Sequence, residues 1–160
     1  MVWTALTALG AILSGKLAER EATLEVLTVF LCRIRLEVAH SERSLPEIIK
    51  QLSEEKGLSG LKFLKPCTEL LNSNVDFPVA WRSCIEKTLK SIETAQREML
   101  CELGCVLCTC DKEGVFELLS LYEERFGEFF ARAKAERKKY SRLCLLSGVF
   151  VGGIFFILSV

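Results

Sequence analysis

The stretch Leu24–Val38, LEVLTVFLCRIRLEV, decides how this chain folds. Five of its apolar residues recur at intervals of three and four, which places their side chains on one face of an α-helix. They are Leu24, Leu27, Leu31, Ile34 and Val38. Charged residues occupy the other face, and the pattern stops at His40. The stretch therefore predicts an amphipathic helix whose apolar face packs against the rest of the protein.

A second long amphipathic helix is predicted after Asp111, whose side chain can cap its first turn. Its apolar residues also step mostly by three or four. They are Val115, Leu118, Tyr122, Phe126, Phe129 and Ala133. No proline interrupts the chain between Asp111 and Val160. We therefore expect one unbroken helix that runs from the body of the protein into the apolar C-terminal stretch.

Both ends of the chain are apolar. Leu143–Val160 carries no charge over 18 residues and would form a helix of about 27 Å, close to the bilayer hydrocarbon thickness of about 30 Å. It is predicted to be a transmembrane helix, and a buried core helix is the less favoured alternative. Residues 1–18 are predicted to form a weaker N-terminal anchor. An interfacial or re-entrant segment is the alternative, whereas a signal peptide would need a preceding positive charge.

Basic residues flank both apolar segments on the side of the middle of the chain. They are Lys16, Arg20, Arg132, Lys134, Arg137, Lys138, Lys139 and Arg142. The positive-inside rule therefore predicts a cytoplasmic body and short exoplasmic termini. The predicted organisation is an anchor at 1–18, a cytoplasmic helical domain at 19–142 and a transmembrane helix at 143–160. Contact with anionic lipid is a further expected use of these basic residues, in preference to nucleic acid.

Between the two long helices the sequence predicts shorter helices and no strand. Ser44 and Glu47 fit a capping box, and Asp76 is expected to cap the helix that carries Trp81. The other residues expected on buried helix faces are Ile48, Ile49, Leu52, Leu61, Leu64, Thr68, Leu71, Ile85, Leu89, Ile92, Ala95, Met99, Leu103 and Val106. The predicted fold class is all-α, with about six cytoplasmic helices flanked by N- and C-terminal membrane helices.

Little in the sequence suggests catalysis. Basic and acidic residues both number 21, so no overall positive charge attracts nucleic acid. His40 is the single histidine, and no Ser/His/Asp or Cys/His arrangement is suggested around it. It is expected in a loop or at a helix end. No P-loop and no GxGxxG motif occurs. We therefore expect no catalytic residue and no cofactor.

The cysteines are the one local oddity. Four of the eight form the C-x3-C-x2-C-x-C cluster Cys101, Cys105, Cys108 and Cys110. Four thiolates could hold zinc or an iron–sulfur cluster, but zinc sites usually draw paired ligands from two separate elements. Here three residues share one helical face, so the cluster is a weak metal candidate and the prediction is no metal. The remaining four are interpreted as structural. They are Cys32, Cys67, Cys84 and Cys144.

The order of these features resembles the stage III sporulation protein AB family over nearly the whole chain. The likeness lies in the first helix, Leu24–Glu37, in the Ser-Leu-Pro-Glu-Ile start at Ser44–Ile48 and in the aromatic-containing helix around Ala80-Trp81. It continues in Leu103-Gly104 and in the segment that ends at Asp111. A basic and then an apolar C-terminus completes the resemblance.

The chain departs from that family in one turn. Where the family usually has Leu-Gly-x-Ser-Asp, this chain has Cys108 in place of the glycine and Cys110 in place of the serine. Because Cys is less suited than Gly to a positive φ, the geometry of this turn stays open. The same two substitutions supply half of the cysteine cluster, which favours local drift over a designed metal site.

The resemblance implies a function that the residue pattern alone does not. The cytoplasmic domain of this family is similar to the helical domain of type II secretion F proteins, which form the inner-membrane platform of secretion and pilus machines. The chain would then be a non-enzymatic platform or scaffold component of the channel between mother cell and forespore, in the mother-cell membrane. Its expected partners are other stage III sporulation channel proteins, a hexameric secretion-type ATPase and the lipid bilayer, and homo-oligomerisation is a further expectation.

Two other hypotheses remain open. The first is a membrane-anchored thiol-based metal or redox sensor that uses the clustered cysteines. The second is a complete secretion F protein, which is disfavoured because that family repeats its helical domain. This chain of 160 residues shows no internal repeat.

Overall fold

The computed structural model describes residues 2–109 and 111–158, with side chains for residues 14–109, 111 and 113–140. Its α-helices are α1 (Val2–His40), α2 (Leu45–Glu54), α3 (Leu64–Asn72), α4 (Phe77–Thr88), α5 (Thr94–Val106) and α6 (Lys112–Leu158). A short 3-10 helix, Lys56–Leu58, lies between α2 and α3. No β-strand occurs in this part of the chain, and the predicted all-α class is confirmed.

Helices α1 and α6 form the largest interface of the fold. They contain 39 and 47 residues, which corresponds to about 58 and 70 Å at 1.5 Å per residue. Arg20 pairs with Glu136, whereas Arg35, further along α1, pairs with the earlier residue Glu123 of α6. The two helices are therefore antiparallel.

The apolar spacing read from the sequence explains this interface. Successive buried side chains within each helix are three, four or seven residues apart, except that Phe30 and Leu31 are adjacent. They are Leu24, Leu27, Phe30, Leu31 and Ile34 in α1 and Val115, Leu119, Tyr122, Phe126 and Ala133 in α6. Leu118 and Phe129, which were expected on the buried face, are only half-buried, and Leu119 is fully buried instead. The broad stripe of α1 allows it to contact α6 and the shorter helices together.

The start of α6 follows the predicted capping chemistry. The backbone N–H of Gly114 donates to Oδ1 of Asp111 at 3.1 Å, and the N–H of Val115 donates to the Asp111 carbonyl at 2.9 Å. One N-terminal amide is thereby satisfied by a side chain, as an N-cap requires. From Lys112 the helix continues without a break to Leu158, as predicted.

The shorter helices pack on α1 through an aromatic core. The Trp81 ring of α4 stacks with that of Phe30 in α1, with centroids 6.1 Å apart. The Phe63 ring meets Trp81 edge-on at 5.2 Å. The indole Nε1–H donates to the carbonyl of Leu100 in α5 at 2.8 Å, so the single polar atom of the buried ring is satisfied. One side chain thus joins α1, α4 and α5.

Gly104 is required by this packing. A Cβ at residue 104 would lie 2.2 Å from Cδ1 of Trp81, a distance at which atoms overlap. The missing side chain therefore lets α5 approach the indole ring closely. This close approach explains on steric grounds why glycine follows Leu103 in the sequence.

The remaining helix boundaries agree with the local sequence signals in part. The Ser44 N–H donates to Oε2 of Glu47 at 2.9 Å at the start of α2, and the turn after α3 reaches a left-handed φ of 61° at Asn74, a residue that tolerates it. Asp76 occupies the N-cap position of α4, although its side chain makes no capping hydrogen bond.

The sequence misplaced several core positions. Ala95 was expected on the buried face of α5 but is exposed, and the neighbouring Gln96 is buried instead. Ile92 is buried as expected, but it lies in the connection before α5 rather than in the helix. The sequence reading continued one helical period through α4 and α5 and missed this connection. It therefore misplaced the buried face of α5.

Among the residues that the structure describes, no helix is long and apolar enough to cross a membrane. The segments predicted as membrane helices at 1–18 and 143–160 fall outside the residues with described side chains, apart from residues 14–18.

Candidate interaction surface

The end of the α1–α6 pair nearest the chain termini is held by ion pairs. Arg20 of α1 contacts Oε2 of Glu136 in α6 at 3.2 Å and Oε1 of Glu93 at 2.7 Å. Arg137 of α6 contacts Oε2 of Glu21 in α1 at 3.1 Å. We call these five residues the ionic cluster. It connects α1, α6 and the segment between α4 and α5.

Each ion pair of the cluster joins one partly buried side chain to a partner that is about half exposed. The side chains of Arg20 and Glu21 are only 16% and 14% exposed, so solvent screens their charges less than it does in an exposed pair. Beside them, Oγ1 of Thr23 and Oγ of Ser91 share a hydrogen bond of 2.9 Å. These contacts hold the α4–α5 connection against α1.

A second ionic contact ties the middle of the same pair. Nε of Arg35 donates to Oε2 of Glu123 at 2.8 Å, and both side chains are about one-quarter exposed. The Arg35 guanidinium also lies 5.3 Å from the ring centroid of Phe116, within the range of a cation–π contact. Arg20 and Arg35 therefore set the antiparallel register at two separate points.

The structure divides the basic residues into two groups. Arg20 and Arg137 are bound to carboxylates of the neighbouring helix or connection, and Arg132 lies 3.8 Å from Glu128 of its own helix. The lysines project into solvent, and Nζ of Lys134 lies 5.6 Å from the Phe130 ring. We call the exposed residues Lys16, Lys134, Lys138 and Lys139 the lysine group. The side chain of Arg142 lies outside the described residues.

The α1–α6 pair also exposes apolar side chains. Val29 and Leu36, seven residues apart on α1, are 47% and 41% exposed, and Phe116 on α6 is 38% exposed. A spacing of seven puts Val29 and Leu36 on one face of the helix. Apolar side chains on a helix face can take part in contacts with another protein.

The structure separates the clustered cysteines. Cys101 is buried in α5, whereas Cys105 and Cys108 are exposed, and Cys110 lies outside the described residues. No group of three metal-ligating side chains comes together in the described part of the chain. Burial raises the pKa of the Cys101 and Cys108 thiols, which disfavours the thiolate that a metal needs.

The turn that departs from the family pattern does not use a left-handed residue. Among the described residues outside glycine, only Asn74 has a positive φ, so Cys108 does not. Its N–H donates to the Cys105 carbonyl at 3.3 Å, and the N–H of Thr109 donates to the Val106 carbonyl at 3.0 Å. A right-handed turn therefore accommodates Cys108 without the strain that a positive φ would bring.

Two of the cysteines that were interpreted as structural are neighbours. Cys67 of α3 and Cys84 of α4 are both buried. Burial and the adjacent Cys84 thiol raise the pKa of Cys67 to about 12, and burial raises that of Cys84. Both thiols therefore stay neutral, and their structural role as small core residues is consistent with the sequence interpretation.

Sequence reasoning missed the part played by the α4–α5 connection. Glu93 contributes to the ionic cluster, and its N–H donates to Oε1 of the buried Gln96 at 3.2 Å. Glu93 and Gln96 occupy the two positions of a capping box at the start of α5. Because a capping box usually begins with Ser or Thr, the sequence carried little signal of this helix start. His40, by contrast, is the exposed last residue of α1, as expected.

The fold and these contacts define an all-α protein organised on one long antiparallel helix pair, with a lysine-rich end and an aromatic core beside it. The family model described as stage III sporulation protein AB matches residues 1–160. The chain therefore belongs to that family, as the sequence resemblance predicted, and has a role in stage III of sporulation. Comparison with curated proteins and with solved structures finds no match.

Proposed function

We propose that the chain is a non-enzymatic inner-membrane platform component of the channel between mother cell and forespore. In this proposal residues 1–18 and 143–160 anchor it in the mother-cell membrane facing the forespore. The helical body at 19–142 lies in the cytoplasm, and both termini are exoplasmic. The similarity of the body to the secretion F domain is part of the same proposal.

The antiparallel register of α1 and α6 carries this proposal. Arg20 and Glu21 pair with Glu136 and Arg137. From these pairs, the preceding residues of α1 and the following residues of α6 run in the same direction. Both helices continue beyond the pairs, to Val2 and to Leu158, through sequence that becomes uncharged. Two apolar helices that leave the body at the same end could enter one bilayer side by side.

The lysine group supports this orientation. Lys16 precedes the ionic cluster in α1, and Lys138 and Lys139 follow it in α6, so these lysines lie between the cluster and the uncharged stretches. They are exposed, and exposed lysines at a membrane boundary favour the cytoplasmic leaflet and its anionic headgroups. The platform would therefore stand on the bilayer with its ionic cluster close to the headgroups.

The proposed partners follow from this arrangement. The helical body would be available in the cytoplasm to a hexameric secretion-type ATPase, and the exposed apolar residues Val29 and Leu36 would be available to other stage III sporulation channel proteins or to a second copy of the chain. A helix pair that is fixed by ion pairs at two points suits a scaffold that holds other proteins in position, rather than an enzyme that converts a substrate.

Thiol labelling in intact cells tests the topology. In this proposal the native cysteines lie in the cytoplasm or the bilayer, so a membrane-impermeant maleimide should not label the wild-type chain from outside. The variant Ser159→Cys should gain outside labelling. The exposed Cys105 should be labelled only after permeabilisation. Labelling of Cys105 in intact cells, or protection of residue 159, contradicts the topology.

Association and spore formation test the platform function. The chain should copurify from membranes with the secretion-type ATPase of the same organism, and its deletion should stop spore formation at stage III. The variant Leu36→Glu should weaken association with the other channel proteins. Val79→Glu is the matched control, because Val79 is an exposed apolar residue on another helix, 60% exposed. Normal spore formation after deletion, together with no association, would exclude the proposal.

A thiol-based sensor is the second candidate function. It is favoured by the exposure of Cys105 and Cys108, which leaves two clustered thiols accessible. Metal analysis of protein purified without oxygen separates the two functions. Stoichiometric zinc or iron that is lost in Cys105→Ser and Cys108→Ser would support the sensor, and metal-free protein would exclude its metal-binding form.

A further inference from the structure

The end of α5 presents two thiols that the platform function does not use. Cys105 and Cys108 are exposed, and they form a Cys-x-x-Cys pair at the joint between α5 and α6. The other described cysteines are less accessible: Cys67, Cys84 and Cys101 are buried, and Cys32 is half-buried. Among the cysteines with described side chains, this pair is therefore the most accessible to an oxidant in solution.

The backbone brings the two residues to the same side of the turn. The hydrogen bond from the Cys108 N–H to the Cys105 carbonyl, 3.3 Å, spans three residues. The bond from Thr109 to Val106 has the same span. Bonds of this span belong to 3-10 geometry, in which residues three apart eclipse each other and the rise is about 2 Å per residue. The Cα atoms are then separated by about 6 Å, inside the range of about 4.4–6.8 Å found for disulfides.

The position of the pair separates it from a disulfide oxidoreductase. Catalytic Cys-x-x-Cys pairs lie at a helix N-terminus, where the helix dipole lowers the thiol pKa. Cys105 lies in the last turn of α5 and Cys108 lies just after it. Although residue 108 as a whole is exposed, partial burial of its thiol group and the neighbouring Cys105 raise the pKa of Cys108. This pair is therefore suited to slow oxidation of the protein itself rather than to catalysis on other proteins.

We propose that Cys105 and Cys108 form a reversible intramolecular disulfide when the chain meets a low-molecular-weight disulfide. The Cys105 thiolate attacks one sulfur of that oxidant, whose S–S bond breaks and releases one thiolate. The Cys108 thiolate then attacks the Cys105 sulfur of the mixed disulfide and releases the second thiolate. The dithiol loses two electrons and two protons, and the oxidant becomes two thiols.

Closure of this disulfide would act on the joint between two helices. Its ring spans residues 105–108, and Asp111 starts α6 three residues later. The oxidised ring would fix the turn from which the long helix leaves. This consequence does not depend on the platform function, since it requires only the described geometry of α5 and the turn.

Peptide mapping of the full-length chain in detergent tests the proposal. The reduced protein is equilibrated with glutathione buffers of increasing oxidised fraction, quenched with acid, alkylated and digested. The wild type should lose alkylation at Cys105 and Cys108 together and yield a peptide that carries both in a disulfide. Cys105→Ser and Cys108→Ser should instead accumulate a mixed glutathione disulfide at the remaining cysteine. Cys32→Ser, which removes a cysteine of α1, should behave as the wild type.

Two results would overturn the assignment. The first is full alkylation of Cys105 and Cys108 at a large excess of oxidised glutathione. The second is a disulfide from either residue to Cys110 in place of the Cys105–Cys108 peptide. Because both substituted residues are exposed, the serine variants should retain the far-ultraviolet circular dichroism of the wild type, so a changed redox profile reports the thiols rather than misfolding.

Discussion

The aromatic core around Trp81 and the ionic cluster around Arg20 both join α1 to the rest of the body, by opposite physical means. In the core, Phe30, Phe63 and Trp81 are fully buried. Close packing joins their three segments, and the hydrogen bond from Trp81 to Leu100 adds α5 as a fourth. In the ionic cluster, charged side chains keep contact with water and hold α1, α6 and the α4–α5 connection by electrostatic attraction.

The difference indicates which region tolerates change. Close packing forbids added or removed atoms, because cavities and overlaps both cost free energy. Partly exposed ion pairs contribute less, and they lose strength with salt. We therefore expect the aromatic core to determine whether the body folds and the ionic cluster to determine how α6 is aligned on α1.

Removal of the central indole should have the largest effect. Trp81→Ala is expected to lower the free energy of unfolding by about 3–5 kcal/mol, through the cavity and the lost hydrogen bond. Urea unfolding of the full-length chain in detergent, followed by circular dichroism, measures it. Val79→Ala, at an exposed position of the same helix, should change stability by less than about 0.5 kcal/mol. Equal losses in the two variants would contradict the role given to Trp81.

The addition of a single methyl group to α5 should destabilise the same aromatic core. Gly104→Ala places a Cβ 2.2 Å from the indole ring and is expected to cost about 1–3 kcal/mol. Gly127→Ala in α6 is the matched control, because nothing lies within 4 Å of its added Cβ. There the substitution should be neutral or stabilise the helix by up to about 1 kcal/mol. If both variants unfold at the same denaturant concentration as the wild type, the steric argument is wrong.

The ionic cluster should respond more weakly, and with salt. Arg20→Ala is expected to cost about 1 kcal/mol at low salt, because it removes the ion pairs with Glu93 and Glu136 and the packing of a side chain that is only 16% exposed. The loss should shrink as the salt concentration is raised. Arg82→Ala removes an exposed pair in which Nη1 lies 3.9 Å from Oε1 of Glu86, and should cost less than about 0.5 kcal/mol.

A charge exchange sharpens the test of register. Arg137→Glu alone should destabilise the pair, and Glu21→Arg added to it should restore much of the loss, because the two residues face each other. Absence of any rescue in the double variant would show that this contact does not align α6 on α1.

Alkaline pH should weaken the core through Cys67. Burial raises its pKa to about 12, whereas an unfolded thiol titrates near about 8.5. Above that lower value the unfolded chain loses a proton that the folded chain retains, so stability is intact below it and falls as pH rises towards 12. The slope is at most about 1.4 kcal/mol per pH unit. Cys67→Ala should show a smaller loss of stability between pH 8 and 10, and Cys105→Ser should keep the wild-type loss.

The lysine group should affect lipid contact and leave stability unchanged. A triple change of Lys134, Lys138 and Lys139 to Gln is expected to alter the free energy of unfolding by less than about 0.5 kcal/mol. In nanodiscs, phosphatidylglycerol should raise the thermal midpoint of the wild type by a few degrees more than that of the variant. The control changes three exposed lysines elsewhere in the body: Lys50, Lys62 and Lys87. An equal lipid effect in all three proteins would show that the lysine group does not contact headgroups.

Much of the fold could be predicted because it depends on local signals. The stripe in Leu24–Val38 predicted α1, and Asp111 predicted the start of α6, because spacing and capping act within a few residues. The exposed Ala95 and the buried Gln96 show where this reasoning stopped. Periodicity predicts which residues of a helix are buried only when the start of that helix is known. The connection between α4 and α5 interrupts the period, so a period continued from α4 placed the wrong residues of α5 on the buried face.

The candidate site was less predictable. The basic residues were recognised as a group, but only the structure shows that Arg20 and Arg137 are bound to carboxylates while the lysine group is exposed. Pairing between residues 116 positions apart leaves no local pattern. The neighbouring position of Cys67 and Cys84 was missed for the same reason.

The sequence by itself determined the all-α class, the two long helices, the Asp111 cap of α6 and the family, since periodicity, capping and family motifs can be read along the chain. Only the tertiary structure decided the antiparallel register, the approach of Gly104 to Trp81 and the exposure of Cys105 and Cys108. These features depend on which faces meet when distant helices pack, and packing selects among arrangements that the same amphipathic helices allow equally.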